Sequence, residues 1–203
     1  MPSQSQNSND SSIAAIILAA GKSRRSGEAN KLLFEAEGSP LVRHVAEAAL
    51  ASRAVEVITV TGHEADLITA VLDGLDLDIV HNPDYRDGLS TSLKAGIGAV
   101  ADGRSGALVM LADMPRISPA IIDLLIERFE QGGETHICAP VHDGKRGNPV
   151  LWPRRFFPQL LEVSGDTGGR ELLKRNAAEI SAVEVDTVDI HFDVDEPGDL
   201  PGD

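Results

Sequence analysis

The chain has one cysteine, Cys138, which excludes an internal disulfide and a cysteine-rich zinc site. Aromatic residues make up only 3% of it, which leaves few platforms for stacking single-stranded bases. No stretch approaches the roughly 18 consecutive apolar residues of a membrane-spanning helix. Basic residues are in deficit: 18 Lys and Arg stand against 32 Asp and Glu, a formal net charge of −14. Such a surface repels nucleic acid and anionic membranes, so neither is expected as a partner. A local basic loop that holds a phosphate remains compatible with it. His44, His63, His81, His136, His142 and His191 do not cluster, and no pair has the spacing of a helical zinc site.

What is present is enough for one folded domain. The 203 residues are 42% hydrophobic, and a length near that of a typical domain predicts a single core. Residues 1–12 are polar and have no apolar segment of the secretory kind, so a disordered tail is expected there, followed by a domain over 13–200 and a cytoplasmic location.

Within that span, apolar runs alternate with amphipathic ones. Ile13 to Leu18 reads as a strand buried on both faces. Further strands are predicted at Val55–Val60, Leu77–Val80, Ala107–Leu111, His136–Pro140, Pro149–Trp152, Ala182–Val185 and Ile190–Val194. Helices are predicted at Pro40–Ser52, His63–Leu72, Leu89–Val100, from Pro119 to about Glu130, and over Gly168–Asn176. Ser118 suits the N-cap of the fourth helix and Pro119 its first turn. Strand–helix alternation predicts a Rossmann-like three-layer α/β sandwich with a mostly parallel sheet. Ligands of such sheets bind outside the carboxyl ends of the strands, so the loops after Leu18, Val80, Leu111 and Pro140 should line one crevice.

The first of these loops, Ala19 to Asn30, is rich in small residues and cations. Small residues let backbone amides approach a ligand, and Arg and Lys add charge, which together suit a triphosphate. It is neither a Walker A loop nor a dinucleotide fingerprint. Asp113 ends a predicted buried strand at the sheet's carboxyl edge, where a carboxylate is costly unless it faces a cation or donors. The alternative for it is a turn aspartate. Asp193 and Asp195 fall on alternate positions of a predicted extended segment and so point the same way, towards a metal or simply towards water. Gly88, Ser90 and Ser92 open a helix, either to bond a base and ribose or as ordinary caps. Cys138 and Trp152 read as packing residues.

The pattern Leu18-Ala19-Ala20-Gly21, Ser23, Arg25, Gly27 and then Lys31 resembles the signature of the molybdenum cofactor nucleotidyltransferases, the guanylyl- and cytidylyltransferases of the nucleotide-diphospho-sugar transferase fold. Gly88–Leu93, Leu111-Ala112-Asp113-Met114-Pro115, Gly144–Val150, Gly165–Arg170 and Asp193–Leu200 resemble its later motifs, in order. The resemblance runs from about Ile13 to Leu200, with Asn148 standing where the family often has His. It implies an enzyme that joins a nucleoside triphosphate to a phosphorylated acceptor and releases pyrophosphate. Leu18, Ala19, Ala20, Gly21, Ser23, Arg25, Lys31, Gly88, Ser90, Ser92 and Asp113 would bind the nucleotide, with Arg25, Lys31 and Asp113 catalytic. Arg146, Gly147, Asn148, Gly168, Gly169 and Arg170 would bind the acceptor. Asp113 and Asp195 would hold Mg²⁺, with Asp193 in support. The implied acceptor is molybdopterin, with a molybdoenzyme or its chaperone downstream. Ala20, where guanylyl-transferring relatives have Gly, adds a methyl group that would favour CTP over GTP. The alternatives are a GTP-using guanylyltransferase, an oxidoreductase resembling those assigned to a nicotine-derived pigment, and a nucleotide-binding accessory protein.

Overall fold

Seven residues, Ile13–Ala19, form the central strand β1, and none is more than 8% exposed. The computed structural model describes residues 12–22 and 30–199. The expected tail lies outside them except for Ser12, whose carbonyl accepts a hydrogen bond from the Ser105 amide. Residues Ser23 and Arg25 of the first loop lie outside them too.

The elements follow the predicted alternation. After β1 come a short hairpin, β2 (Glu35–Ala36) and β3 (Ser39–Pro40), then α1 (Leu41–Leu50), β4 (Glu56–Thr61), α2 (Ala65–Val71), β5 (Asp78–His81), α3 (Leu89–Ala99), β6 (Gly106–Leu111) and α4 (Pro119–Gln131). The second half holds β7 (Ile137–His142), β8 (Lys145–Arg146), β9 (Val150–Pro153), α5 (Phe157–Glu162), α6 (Arg170–Arg175) and β10 (Ile180–Glu184). The sheet order is β10-β7-β9-β6-β1-β4-β5, with β8 paired to β7. β1 pairs in parallel with β4 and β6, β4 with β5, and β7 with β10. β9 runs antiparallel between β6 and β7, and β8 is antiparallel to β7.

Side chains of β1 alternate between two cores, as the twofold period of a strand requires. Ile13, Ala15 and Ile17 pack with residues of α1, α2 and α4, including Val45, Ile68 and Leu125. Ala14, Ile16 and Leu18 pack with residues of α3, α5 and α6, including Leu93, Leu160 and Leu172. The result is the expected three-layer α/β sandwich. Helix α3 comes close to β1 because Gly96 has no side chain; a Cβ there would collide with Ile16 Cγ2. Ser118 caps α4 by accepting from the Ile121 amide, as its sequence predicts.

One expectation needs correction. Ile190–Val194 is no strand: a 3-10 turn spans Val188–His191, and an unpaired segment follows. Thr187 accepts from the Asp189 amide, and this local turn chemistry displaces sheet pairing. The apolar alternation there reports burial alone, since Ile190 and Val194 are both fully buried. The short helix α5 has no expectation to meet, because its six residues, which include Pro158, are too few to show a helical period.

Candidate active site

The carboxyl ends of β1 and β6 lie side by side, since Leu18 is in register with Leu111 and its carbonyl accepts the Ala112 amide at 3.3 Å. This places the first loop next to Asp113. Asn30 and Lys31 return from that loop through a 3-10 turn, Lys31–Leu33, which Asn30 caps by accepting from the Leu32 amide. The turn brings the Lys31 ammonium to 2.7 Å from Asp113 Oδ2 and 2.9 Å from Asp195 Oδ1. Burial alone would lower the Lys31 pKa, but the two carboxylates outweigh it and hold the group above its ordinary value, firmly charged.

Asp195 is held from the other side. Val194 donates its amide to the Asp113 carbonyl over 2.9 Å, tying the closing segment to the end of β6. Asp199 then accepts from the amides of Asp195 and Glu196, and these bonds hold the Asp199 carboxyl below its ordinary range. Asp193 is exposed and makes no ion pair among the described residues.

A divalent ion would find suitable donors here. Among the described residues, Asp113 Oδ1 is buried without a hydrogen-bond partner, while Asp195 reaches the same lysine. Mg²⁺ is commonly bound through one or two carboxylates together with substrate phosphates and water. Among the described residues no group of three or more His, Cys, Asp or Glu side chains is placed to hold a metal ion by itself.

Beside this cluster lies a pocket of about 170 Å³. Leu18, Leu93, Leu111, Val150, Trp152 and Leu173 give it apolar walls, and Asn148, Asp166 and Arg170 are its polar groups. Gly168 and Gly169 complete one side, where Gly169 rides against the Trp152 indole. The structure thus brings together Leu18, Asn148, Gly168, Gly169 and Arg170 from the sequence reading. Arg146 is exposed on β8 and Gly147 packs against Ile190; neither is part of the pocket wall.

The N-terminal end of α3 is tied to the segment that follows β5. Ser90 and Ser92 are buried, and Ser92 Oγ accepts from Asn82 Nδ2, which also donates to Thr91 Oγ1. Gly88 adopts φ 110° and abuts the loop at Gly165 and Asp166. Among the described residues, nothing lies within 4 Å of where a Cβ on Gly21 would stand. Ala19 is buried, and Ala20, also buried, turns its methyl inward towards Gly62 and Tyr85 in the α3-side core. The methyl packs there and not at the protein surface. Asn30, Asn82, Asp166 and Asp199 were not singled out from sequence as functional. The turn signals Asn30-Lys31 and Asn82-Pro83 are the only local hints of the first two.

The chain resembles known proteins along most of its length. The family model described as the MobA-like NTP transferase domain matches residues 15–180. The chain is 30% identical over 192 residues to the molybdenum cofactor cytidylyltransferase of Escherichia coli (strain K12), covering 94% of each chain. It is 28% identical over 188 residues to the nicotine blue oxidoreductase of Paenarthrobacter nicotinovorans, covering 90% of this chain and 92% of that one. The crystal structure of the homologue of Mycobacterium tuberculosis Rv0371c from Mycobacterium sp. strain JC1 superposes with a TM-score of 0.81 at 27% identity, over 92% of both chains. With the carboxylate–lysine cluster at the carboxyl edge of a sheet of this topology, the chain belongs to the MobA-like NTP transferase family and is a nucleotidyltransferase.

Proposed function

We propose that this protein transfers CMP from CTP to molybdopterin, or to a closely related phosphorylated acceptor, with Mg²⁺ and with release of pyrophosphate. The observation that carries the reading is the placement of the Lys31–Asp113–Asp195 cluster two residues beyond Leu111, which lines the apolar pocket. A charged triphosphate site and a largely apolar acceptor pocket then meet at the end of β6. The choice of CTP rests on likeness to the cytidylyltransferase over the full length, not on Ala20.

In this reading an oxygen of the acceptor phosphate attacks the α-phosphorus in line. The new P–O bond forms as the bond to the bridging oxygen of the β-phosphate breaks, and the electron pair leaves with pyrophosphate. A phosphate nucleophile needs no strong general base, and no histidine belongs to the cluster. Lys31 turns its ammonium to the phosphates, where negative charge accumulates as the bond breaks. Arg25 would assist it, as the family resemblance implies. Asp113 and Asp195 would hold Mg²⁺, whose chemistry is to neutralise the triphosphate. Arg170, at the pocket rim, would hold the acceptor phosphate in place for attack. Asn148 would bond the acceptor ring. The product would pass, in the cytoplasm, to a molybdoenzyme or its chaperone.

The test is pyrophosphate release with Mg²⁺ from each of CTP, GTP, ATP and UTP, with molybdopterin as acceptor. Release from CTP well above the others is expected. Release from GTP instead would move the protein to the guanylyl branch. No release from any of them, together with oxidation of a reduced nicotinamide by the pigment of the oxidoreductase relative, would replace the reading altogether.

A further inference from the structure

The pocket beside the cluster has three polar side chains, and all three are uncommitted. Asn148, Asp166 and Arg170 make no side-chain hydrogen bond or ion pair among the described residues. This contrasts with the surroundings. Glu171, next to Arg170, pairs with Lys174 at 2.7 Å, and Asn82, Thr91 and Ser92 satisfy one another. Asp166 and Arg170 carry opposite charges on one pocket wall, yet they do not pair.

The presence of Asp166 is the anomaly. Both substrates of the proposed reaction are anionic, and a carboxylate in their pocket repels them unless it faces a donor. Its position is fixed rather than incidental. Asp166 Oδ1 lies 2.7 Å from where a Cβ on Gly88 would stand, and the Gly165 carbonyl carbon lies 2.8 Å from it. The loop therefore interlocks with the start of α3, and only glycine at 88 allows it. On the same loop Gly169 rests on Trp152, 2.9 Å from its would-be Cβ to the indole. A carboxylate held over apolar walls is suited to accept two adjacent N–H groups from the edge of a flat heterocycle.

We infer that Asp166 determines acceptor specificity by accepting paired N–H groups from the amino-oxo-pyrimidine edge of a pterin, while Arg170 takes the acceptor's phosphate. The inference rests on the proposed transfer to molybdopterin and names the residue that would recognise its ring.

The full chain is dialysed to equilibrium against pterin and, separately, against lumazine, which has the same rings with a carbonyl in place of the exocyclic amino group. Each ligand is measured by its own fluorescence. Trp152 is the one tryptophan of the chain, so its quenching, corrected for ligand absorption, reports occupancy of this pocket. Pterin should bind about tenfold or more tighter than lumazine, the discrimination expected of a charge-assisted hydrogen bond. In Asp166→Asn the two should bind within about twofold of each other, while Arg170→Gln keeps the wild-type ratio. Asp166 is exposed, and circular dichroism confirms that the variant folds. Equal binding to the wild type, a preference that survives in Asp166→Asn, or pterin binding without quenching would each overturn the inference. Pyrophosphate release from CTP with molybdopterin is run in parallel. Turnover without pterin preference sinks the role of Asp166 alone, whereas pterin preference without turnover supports Asp166 and sinks the transfer reading.

Discussion

Lys31 Nζ stands 2.7 Å from Asp113 Oδ2, in a position where the same ammonium also meets Asp195. In the proposed reaction such a cation, anchored by protein carboxylates, would engage the phosphates as a second set of anions. It should therefore matter more in the transition state than in ground-state binding. Lys31→Ala is expected to lower kcat and to raise KM for the nucleotide, with kcat/KM down about a hundredfold. Steady-state kinetics with varied CTP check this; a change in KM alone would make Lys31 a uniform binder.

Asp113 offers a buried oxygen that no group among the described residues satisfies. Asp113→Asn keeps the shape and removes the charge. The variant should fold normally and lose at least ~10²-fold in turnover, similar to the loss of one strong electrostatic stabiliser. Isothermal titration with Mn²⁺ and CTP should show weakened metal binding in parallel. Near-normal turnover in a folded variant would remove Asp113 from the site.

Helix α3 provides an internal control for packing. Gly96→Ala adds a methyl that meets Ile16 and, at 3.1 Å, Val60 Cγ2. It should destabilise the protein by about 1–3 kcal/mol. Gly98→Ala, two residues along the same helix, meets nothing within 4 Å and should stabilise by about 0.5–1 kcal/mol. Urea melts of the two variants should move in opposite directions.

Because the Ala20 methyl points into the core, Ala20→Gly should leave the CTP-to-GTP ratio of kcat/KM within about twofold, while costing about 1 kcal/mol of stability. A shift of the ratio towards GTP would restore the methyl as a base selector. Competition kinetics with both nucleotides settle which holds.

Cys138 is fully buried on β7, and burial pushes its thiol from the ordinary 9.0 up to about 11, against a small downward pull from Arg128. At pH 8 an aromatic disulfide reagent should fail to label the native protein and should label it after unfolding. The raised value means that the folded state favours the neutral thiol. Its contribution is fully present below pH 9.0 and is lost as pH rises towards 11. That loss, on the order of 3 kcal/mol, should be absent in Cys138→Ala, and alkaline denaturation curves compare the two.

Much of this was legible in the residues. The unbroken apolar run of β1 announces a strand covered on both faces, and Ser118-Pro119 marks a helix start to within one residue. The closing segment was misread because Ile190, Phe192 and Val194 alternate with polar residues in a period that pairing would also produce. Alternation reports which side chains are buried, and sheet membership depends on a partner edge that sequence does not contain. Asp113, Lys31 and Asp195 came from their motifs. Asp166 and Asn82 did not stand out, since a lone polar residue in a loop carries no period, and its significance arises only when distant segments meet.

The reversed strand β9 has a consequence for how such a site can diversify. In a purely parallel sheet only the segment following each strand reaches the carboxyl edge. β9 runs the other way, so the segment before it, carrying Asn148, arrives there instead. In the proposed reading the groups that would engage the triphosphate and its metal follow β1 and β6 or lie on the closing segment, whereas those that would meet the acceptor flank β9 and open α6. The two sets occupy separate stretches of chain. Exchanging 144–150 and 165–170 between relatives could therefore redirect the enzyme to another acceptor without touching its transfer chemistry.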